Sequence, residues 1–253
     1  MTIAPRPRLT IIAPMKNEAD NVGRLADDIA AACAHLAPFE AIFVNDGSTD
    51  DTSGAIATAR LRHPWLREVR HGASCGQSAA VRSGVLAAAA SLCCTLDGDG
   101  QNPPSEIPGL VAPLLNDATG RIGLVAGQRV ARQDTRSKLL ASRFANMLRS
   151  RLLHDDTRDT GCGLKAFPRE VFLSLPFFDH IHRYLPALVR REGYEIALVD
   201  VSHKAREAGT SNYTNIGRAI VGALDLLGVW WLMKRRKRAE VVHVDAPADG
   251  RAA

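Results

Sequence analysis

The sequence predicts an α/β domain built on a mainly parallel sheet, and three observations lead to this prediction. Short apolar runs alternate with segments in which apolar residues have helical spacing, beginning near residue 9. These apolar runs are continuous, as is typical of strands buried on both faces of a parallel sheet. The chain has 253 residues, of which 46% are hydrophobic and 23% charged, which is enough for one domain with a full core.

The first half of the chain alternates regularly between strand-like and helix-like segments. Strands are predicted at 9–12, 41–44, 66–70 and 92–96, with helices at 19–36, 50–61 and 77–91 between them. The second half is less regular, with a strand at 122–126, a basic helical stretch at 137–153, a turn at 161–163, a helix at 183–192 and a strand at 196–201. The alternation indicates βαβ units with helices flanking the sheet.

Charge and cysteine content exclude several classes of protein. The net charge of +5 equals the five basic residues of Lys234–Arg238, so the rest of the chain is about neutral. No nucleic-acid-binding signature accompanies this run, and we expect no nucleic-acid partner. The five cysteines form no CxxC pair, which favours reduced thiols and a cytoplasmic protein. Residues 1–8 lack the apolar stretch of a signal peptide.

The strongest chemical signal is the segment Leu96-Asp97-Gly98-Asp99-Gly100-Gln101, which follows the strand at 92–96. Two carboxylates separated by one residue repel each other unless a cation lies close by. Hard oxygen ligands of this kind suit Mg²⁺ or Mn²⁺, which in turn hold diphosphate oxygens. Taken alone, a surface turn made of Asp-Gly pairs explains the segment equally well.

Two further polar clusters follow the first and second predicted strands. They are Pro14-x-x-Asn17-Glu18 and Val44-Asn45-Asp46-Gly47-Ser48. Because ligands of open α/β sheets bind at the carboxyl ends of the strands, we expect the three clusters to converge on one crevice. Asp46 could accept hydrogen bonds from a nucleobase, whereas Thr49 or Asp50 is interpreted as a cap of the next helix.

The three clusters, in this order, resemble the family 2 glycosyltransferases of GT-A fold. Within that family the chain is most similar to the polyprenol-phosphate glycosyltransferases, the group that includes dolichol-phosphate mannose synthase. The resemblance runs from about Leu9 to Tyr213. It includes Gly76-Gln77-Ser78-Ala79-Ala80-x-Arg82-x-Gly84, Gly127-Gln128-Arg129, Asp159-Thr160-Gly161-Cys162-Gly163 and His203-Lys204-x-Arg206-x-x-Gly209-x-Ser211-x-Tyr213.

The resemblance implies roles for the matched positions. A divalent metal, Mg²⁺ or Mn²⁺, would be held by Asp97, Asp99 and Gln101. Catalysis would rest on Asp97 and Asp99 together with Arg129 and Arg206, whose guanidinium groups would face phosphate charge. The other substrate-binding positions would be Pro14, Lys16, Glu18 and Val44 in the nucleotide pocket, Asp46 at the base, Gly98 at the diphosphate, and Asn212.

Two positions depart from the family pattern. Asn45 replaces the first acid of the usual Asp-Asp-Gly-Ser, and because Asp46 keeps the second acid, we expect nucleotide binding to survive. Asn212 stands where many relatives have Lys, which removes one cation near the phosphates and leaves the identity of the donor open.

The function implied by the resemblance is inverting transfer of a sugar, mannose or a related hexose, from a GDP- or UDP-sugar to a polyprenyl phosphate. A phosphate acceptor is already anionic and needs positioning more than a base, whereas a hydroxyl acceptor would need a base such as Asp159. Two alternatives stay open: transfer to a saccharide of the cell envelope, and a non-catalytic module that binds nucleotide-sugars.

The C-terminal segment suggests contact with a membrane surface. We expect a catalytic domain over 1–215, an interfacial amphipathic helix with the basic run over 216–238, and a disordered tail over 239–253. Arg218 and Asp225 interrupt the apolar stretch, which leaves it short of the roughly 20 residues that a span requires. Trp230 and Trp231 beside the basic run favour a helix lying on the cytoplasmic face of a membrane. A core helix followed by a solvated tail is the alternative.

Overall fold

A computed structural model describes residues 6–130, 149–153, 155, 157–202 and 215–236, with the backbone alone for 215–220. Several predicted features lie outside these ranges. They include Arg206 and Asn212, the tail at 239–253, and most of the basic stretch predicted as a helix, of which 149–153 are helical.

The described residues form one seven-stranded sheet. Its strands are β1 (Leu9–Met15), β2 (Phe39–Asp46), β3 (Leu66–His71), β4 (Leu92–Thr95), β5 (Ile122–Arg129), β6 (Lys165–Pro168) and β7 (Glu195–Val201). Their order across the sheet is β3-β2-β1-β4-β6-β5-β7. Strand β6 runs antiparallel to β4 and β5, and the other neighbouring pairs are parallel. The predicted, mainly parallel α/β sheet is therefore confirmed.

Helices cover both faces of the sheet. They are α1 (Ala19–Cys33), α2 (Thr52–Arg62), α3 (Gln77–Ala87), α4 (Ile107–Leu115), α5 (Arg169–Ser174), α6 (Leu185–Arg191) and α7 (Asn215–Lys234), with short 3₁₀ turns at Ala34–Leu36, Pro104–Glu106 and Ile181–Arg183. One core cluster includes side chains of α1, α2 and α4, and a second includes side chains of α3, α5, α6 and α7.

The two clusters explain the apolar runs in the sequence. Neighbouring residues of a strand point to opposite faces, so Ile11 belongs to the first cluster and Ile12 to the second. In the same way Phe43 faces the first cluster and Ile42 the second. Because both faces of the sheet are covered, both positions of each pair must be apolar.

One described strand and two described α-helices were not predicted, and the helix at 77–91 was predicted too long. The sequence-based prediction lacks strand β6 and helices α4 and α5. Helix α4 was missed because it contains Pro108 and Pro113, and proline usually indicates a helix end or a turn. The helix predicted at 77–91 ends at Ala87, because the next residue is extended and the Ala89 N–H donates to the buried Glu40 carboxylate at 2.6 Å. The prediction for that helix end was wrong because this long-range bond is invisible in the local pattern.

Helix α7 packs against the domain by one face. Val229 is buried in the second core cluster, where Leu226, Trp230 and Met233 also pack. Asp225, which interrupts the apolar segment, lies 2.9 Å from Nδ1 of His180, and the Tyr184 hydroxyl donates to the Gly222 carbonyl at 3.2 Å. The predicted C-terminal helix is present, and in the described part of the chain no helix is long and apolar enough to cross a membrane.

Candidate active site

The polar clusters meet at one edge of the sheet. Strands β1 to β5 all end at this edge, and the antiparallel β6 begins there. The edge therefore collects the loops after β1, β2, β3 and β4, the end of β5, and the segment 159–165 that enters β6. The expectation that the three clusters converge agrees with this topology.

Asp97 is held from two sides at the centre of this edge. Its Oδ1 accepts a hydrogen bond from Nε2 of Gln77 at 2.8 Å, and its Oδ2 accepts one from Nδ2 of Asn102 at 2.7 Å. Burial raises the pKa of Asp97, and the charge of Asp99 raises it further, against the opposing influence of Asn102, Lys165 and Arg129. The turn thus places two half-buried carboxylates close together.

Two glycines make room for this carboxylate. A Cβ at Gly98 would lie 2.6 Å from the Pro14 carbonyl oxygen, so the turn can approach β1 only with glycine there. A Cβ at Gly163 would overlap the Asp97 carboxylate itself. The segment before β6 is therefore in direct contact with the acidic turn.

The acidic turn fits a hard divalent cation. Oδ1 of Asp99 accepts from the Gln101 N–H at 3.1 Å, which folds the two carboxylates and Gln101 onto one short turn. Asn102 is 1% exposed, and its Oδ1 is buried without a hydrogen-bond partner among the described residues. Two carboxylates, an amide and an unsatisfied buried oxygen form a donor set that suits Mg²⁺ or Mn²⁺.

Arg129 ends β5 and is fixed by a carboxylate. Its Nε and Nη2 donate to the two oxygens of Asp159 at 2.5 and 2.9 Å. Burial lowers the pKa of Arg129, but the hydrogen bond and charge of Asp159 outweigh this effect, and the net pKa is raised. Asp159 also accepts from the Gly161 N–H at 3.0 Å, so this carboxylate is a positioning partner of Arg129 rather than a spare base.

Asp46 organises the loop after β3. Within the described ranges its carboxylate accepts hydrogen bonds from Nδ1 of His71 at 2.7 Å, the Ser74 hydroxyl at 2.9 Å, and the N–H groups of Cys75 at 2.8 Å and Gly76 at 2.9 Å. Burial raises the pKa of Asp46, but these bonds lower it more, so the carboxylate stays ionised. Asp46, His71 and Cys75 lie close enough to suggest a metal site, but the second ring nitrogen of His71 is already bonded to Ser83.

The other predicted nucleotide-pocket residues have different environments. Lys16 is exposed and its Nζ donates to Ser74 at 2.9 Å, which links it to the Asp46 network. Glu18 accepts from Nδ2 of Asn21 at 2.6 Å, while its own N–H donates to Thr52. Val44 is fully buried in the second core cluster, so its side chain faces the protein interior.

Asn45 and Asp50, at and after the end of β2, both make specific hydrogen bonds. Oδ1 of Asp50 accepts from the Thr52 N–H at 3.1 Å and Oδ2 accepts from the Ala19 N–H at 3.2 Å, so Asp50 bonds the first residues of α2 and α1, whereas the N-cap position of α2 is Asp51. Asn45 donates to Ser53 at 2.8 Å and to Glu68 at 3.3 Å. An aspartate at 45 would have no donor for these partners, and its charge would face Glu68.

A cleft lies beside Asp97, between α3 and the start of α6. It opens to solvent, and its enclosed space of about 20 Å³ has room for one small polar group such as a water molecule or a hydroxyl. The lining includes Gln77, Val81, Asp97, Lys165, His182 and Leu185. Lys165 is 3% exposed, and its Nζ donates to the carbonyls of Thr160 and Cys162, while burial lowers its pKa.

Sequence reasoning assigned no role to several residues of this site. Gln77 was within a quoted motif, and Asn102 directly follows the acidic turn, so their positions gave a signal. No sequence pattern pointed to Lys165 or His182, because their positions in the cleft depend on the antiparallel strand β6 and on the turn before α6.

The comparisons with known proteins agree with this geometry. The sequence profile described as "Glycosyl transferase family 2" matches residues 10–175, more than half of the chain. The chain belongs to this family. Among its curated relatives is the dodecaprenyl-phosphate galacturonate synthase of Rhizobium johnstonii, 34% identical over 238 residues that cover 91% of this chain and 68% of the relative.

A second relative is the undecaprenyl-phosphate 4-deoxy-4-formamido-L-arabinose transferase of Serratia proteamaculans. It is 31% identical over 215 residues, which cover 84% of this chain and 64% of the relative. This family 2 glycosyl transferase chain therefore spans about two thirds of the length of these relatives.

Solved structures confirm the GT-A fold expected from the resemblance. Glucosyl-3-phosphoglycerate synthase from Mycobacterium tuberculosis, solved with Mn²⁺ and UDP, aligns with a TM-score of 0.66 at 19% identity over 91% of this chain and 80% of that one. Mannosyl-3-phosphoglycerate synthase from Rubrobacter xylanophilus aligns with a TM-score of 0.67 at 19% identity, over 94% and 78% of the two chains.

The contact between Gly163 and Asp97 yields a test of the metal assignment. Gly163→Ala should displace the Asp97 carboxylate and weaken Mn²⁺ binding by about tenfold or more, since one ligand is moved. Electron paramagnetic resonance of free Mn²⁺ measures this affinity without any sugar transfer. The control is Gly109→Ala in α4, where an added Cβ meets nothing within 4 Å. Equal Mn²⁺ affinity in both variants would contradict the assignment.

Proposed function

We propose that the chain transfers a sugar from a nucleotide-sugar to a polyprenyl phosphate, with inversion at the anomeric carbon. The observation that supports this most strongly is the placement of Asp97 and Asp99, with Arg129 ending a strand at the same edge of the sheet. The names of the two relatives, which both act on polyprenyl phosphates, support the class of acceptor.

The chemistry centres on the negative charge of the leaving nucleoside diphosphate. A divalent metal held by Asp97, Asp99 and Gln101 would neutralise part of that charge. Arg129 adds a fixed positive charge, because its bidentate pair with Asp159 holds the guanidinium in one orientation before substrate binds. Arg206 has the same role in the proposal. The exposed Lys16 ammonium and the Asp46 network belong to the nucleotide side of the site.

The environment of Asp159 favours a phosphate acceptor over a hydroxyl acceptor. A hydroxyl has to lose a proton to a base, but both oxygens of Asp159 are engaged by Arg129. His182 is a poor base as well, because burial and the charge of Lys165 lower its pKa to about 3. A polyprenyl phosphate oxygen is already anionic and can attack once it is positioned.

The donor is the less defined partner. Mannose or a related hexose on GDP or UDP is the proposal from the sequence, and the names of the relatives add galacturonate and 4-deoxy-4-formamido-L-arabinose as sugars to test. Those relatives are longer than this chain, so we only propose that the chain has the same activity as they do.

A panel assay tests the function. The protein is incubated with Mn²⁺ and undecaprenyl phosphate, and separately with GDP-mannose, UDP-glucose, UDP-galacturonate and UDP-4-deoxy-4-formamido-L-arabinose, and the lipid is analysed by mass spectrometry. We expect one nucleotide-sugar to give a glycosyl-phosphoryl lipid, and Asp99→Ala or excess EDTA to reduce the rate at least a hundredfold. The control Asp28→Ala removes an exposed acid from α1 and should leave the rate unchanged.

Three results would contradict the proposal. Full activity in excess EDTA would contradict the metal role. Transfer to a saccharide but not to the lipid would favour the cell-envelope acceptor. Nucleotide-sugar binding without transfer to either acceptor would favour a non-catalytic binding module.

We further propose that α7 holds the enzyme against a membrane surface. Opposite its packed face, Leu224, Leu227 and Trp231 are 64%, 59% and 53% exposed, and their i, i+3, i+7 spacing makes one stripe. Lys234 and Arg235 follow directly and lie over the rings of Trp230 and Trp231 at 4.2 and 5.6 Å. An exposed apolar stripe beside cations suits an anionic lipid surface. The cytoplasmic face of the membrane is the location proposed from the sequence.

The exposed stripe can be tested without disturbing the packed face. The triple variant Leu224→Glu, Leu227→Glu, Trp231→Glu should lose binding to vesicles of phosphatidylglycerol and phosphatidylcholine by at least tenfold in co-sedimentation. The double variant Leu61→Glu, Leu86→Glu is a control, because these leucines are 84% and 54% exposed outside α7. Binding should also fall as salt rises. Equal sedimentation of the triple variant and the parent would contradict the proposal.

A further inference from the structure

His182 lies in the wall of the cleft beside Asp97. It sits on the turn Ile181–Arg183 that precedes α6, and its Nδ1 lies 2.8 Å from the hydroxyl of Ser78. Ser78 is 3% exposed and belongs to the first turn of α3, so the imidazole is clamped between two elements of the second core cluster. Nε2, the other polar atom of the ring, has no hydrogen-bond partner within the described part of the chain.

The ring is neutral at physiological pH. Burial lowers the pKa of His182 to about 3, and the charges of Lys165, Arg183 and His180 contribute to the shift. A neutral imidazole has one N–H and one lone pair, and the bond to Ser78 uses one of them. Nε2 therefore offers the cleft a single, oriented and uncharged hydrogen-bonding group.

The position of the cleft indicates which part of the donor it receives. Asp46, on the nucleotide side, ends β2, which lies two strands away from β4 and Asp97. The cleft lies between Pro14 and α3 on one side and Lys165 of β6 and Leu185 of α6 on the other, and His182 stands on the α6 side, away from β2. A diphosphate held at Asp97 and Asp99 would place its nucleoside toward Asp46 and its sugar toward His182.

We propose that Nε2 of His182 hydrogen-bonds a hydroxyl group of the transferred sugar and so helps to select it. This rests on the proposed function, because it requires a nucleotide-sugar at the acidic turn. A neutral group suits a sugar hydroxyl, whereas the fixed cation Arg129 suits phosphate.

Two substitutions test the two ring nitrogens of His182 independently. In His182→Asn the amide replaces Nδ1, so the bond to Ser78 can persist while the atom at Nε2 is lost. In His182→Gln the amide replaces Nε2, so the group that faces the cleft is kept. We expect His182→Asn to bind the nucleotide-sugar roughly three- to tenfold more weakly than the parent, and His182→Gln to recover most of this loss.

The matched control is His180→Asn. This histidine lies two residues away and bonds to Asp225 of α7 instead of facing the cleft, and asparagine tolerates its left-handed backbone, with φ of 64°. Its affinity for nucleotide-sugar should equal that of the parent.

Isothermal titration with Mn²⁺ compares UDP and GDP with UDP-galacturonate, UDP-4-deoxy-4-formamido-L-arabinose, UDP-glucose and GDP-mannose. The proposal requires His182→Asn to lose affinity for the bound nucleotide-sugar but not for its bare nucleoside diphosphate. Equal loss for both ligands, or no loss for either, overturns it.

A second measurement needs no variant. In the NMR spectrum of the parent protein, the imidazole resonances of His182 should shift when the nucleotide-sugar is added beyond the shift caused by the bare diphosphate. Identical spectra with the two ligands overturn the proposal. If the parent binds no nucleotide at all, the proposed function itself is wrong, and this outcome is distinguishable from a failure at His182 alone.

Discussion

The repulsion between two carboxylates on one turn is the constraint around which the site is arranged. Asp97 and Asp99 lie one residue apart and are both half-buried, and burial together with the neighbouring charge raises the pKa of Asp97. Gln77 and Asn102 hold Asp97 by its two oxygens, and Gly163 gives it space. The repulsion between the two carboxylates destabilises the folded protein when no cation is bound, and a bound divalent cation would turn it into attraction. This is the physical reason to assign a metal-dependent reaction to the turn.

The antiparallel strand β6 lets the second half of the chain complete the site. Because β6 lies between β4 and β5 and runs in the opposite direction, its first residue stands beside the ends of its neighbours. Asp159 can then pair with Arg129, and Gly163 can contact Asp97, although each pair is far apart in sequence. The turn before α6 adds His182, and α6 itself packs against α7. The reaction centre and the proposed membrane-facing helix are thus supported by the same layer of helices.

The sequence predicted the parallel part of the fold well because local patterns encode it. Strands buried on both faces are continuous apolar runs, and the polar residues after them mark the ligand edge, which led to Asp46, Asp97 and Asp99. Strand β6 could not be found in this way, since it is four residues long and begins with a buried lysine. Val44 shows the opposite problem: it belongs to a matched motif, but its position on β2 turns its side chain into the core. The sequence showed that Asn45 departs from the family pattern, but only the structure shows that its amide donates hydrogen bonds to Ser53 and Glu68.

The central claim is that the turn carrying Asp97 and Asp99 binds the metal that accompanies the donor diphosphate. Anomalous diffraction from crystals grown with Mn²⁺ and either UDP or GDP tests it directly. We expect a manganese peak within about 2.5 Å of a carboxylate oxygen of Asp99 or Asp97, next to the diphosphate density. A peak at the group formed by Asp46, His71 and Cys75 instead, or nucleotide density without any manganese peak, would contradict the account.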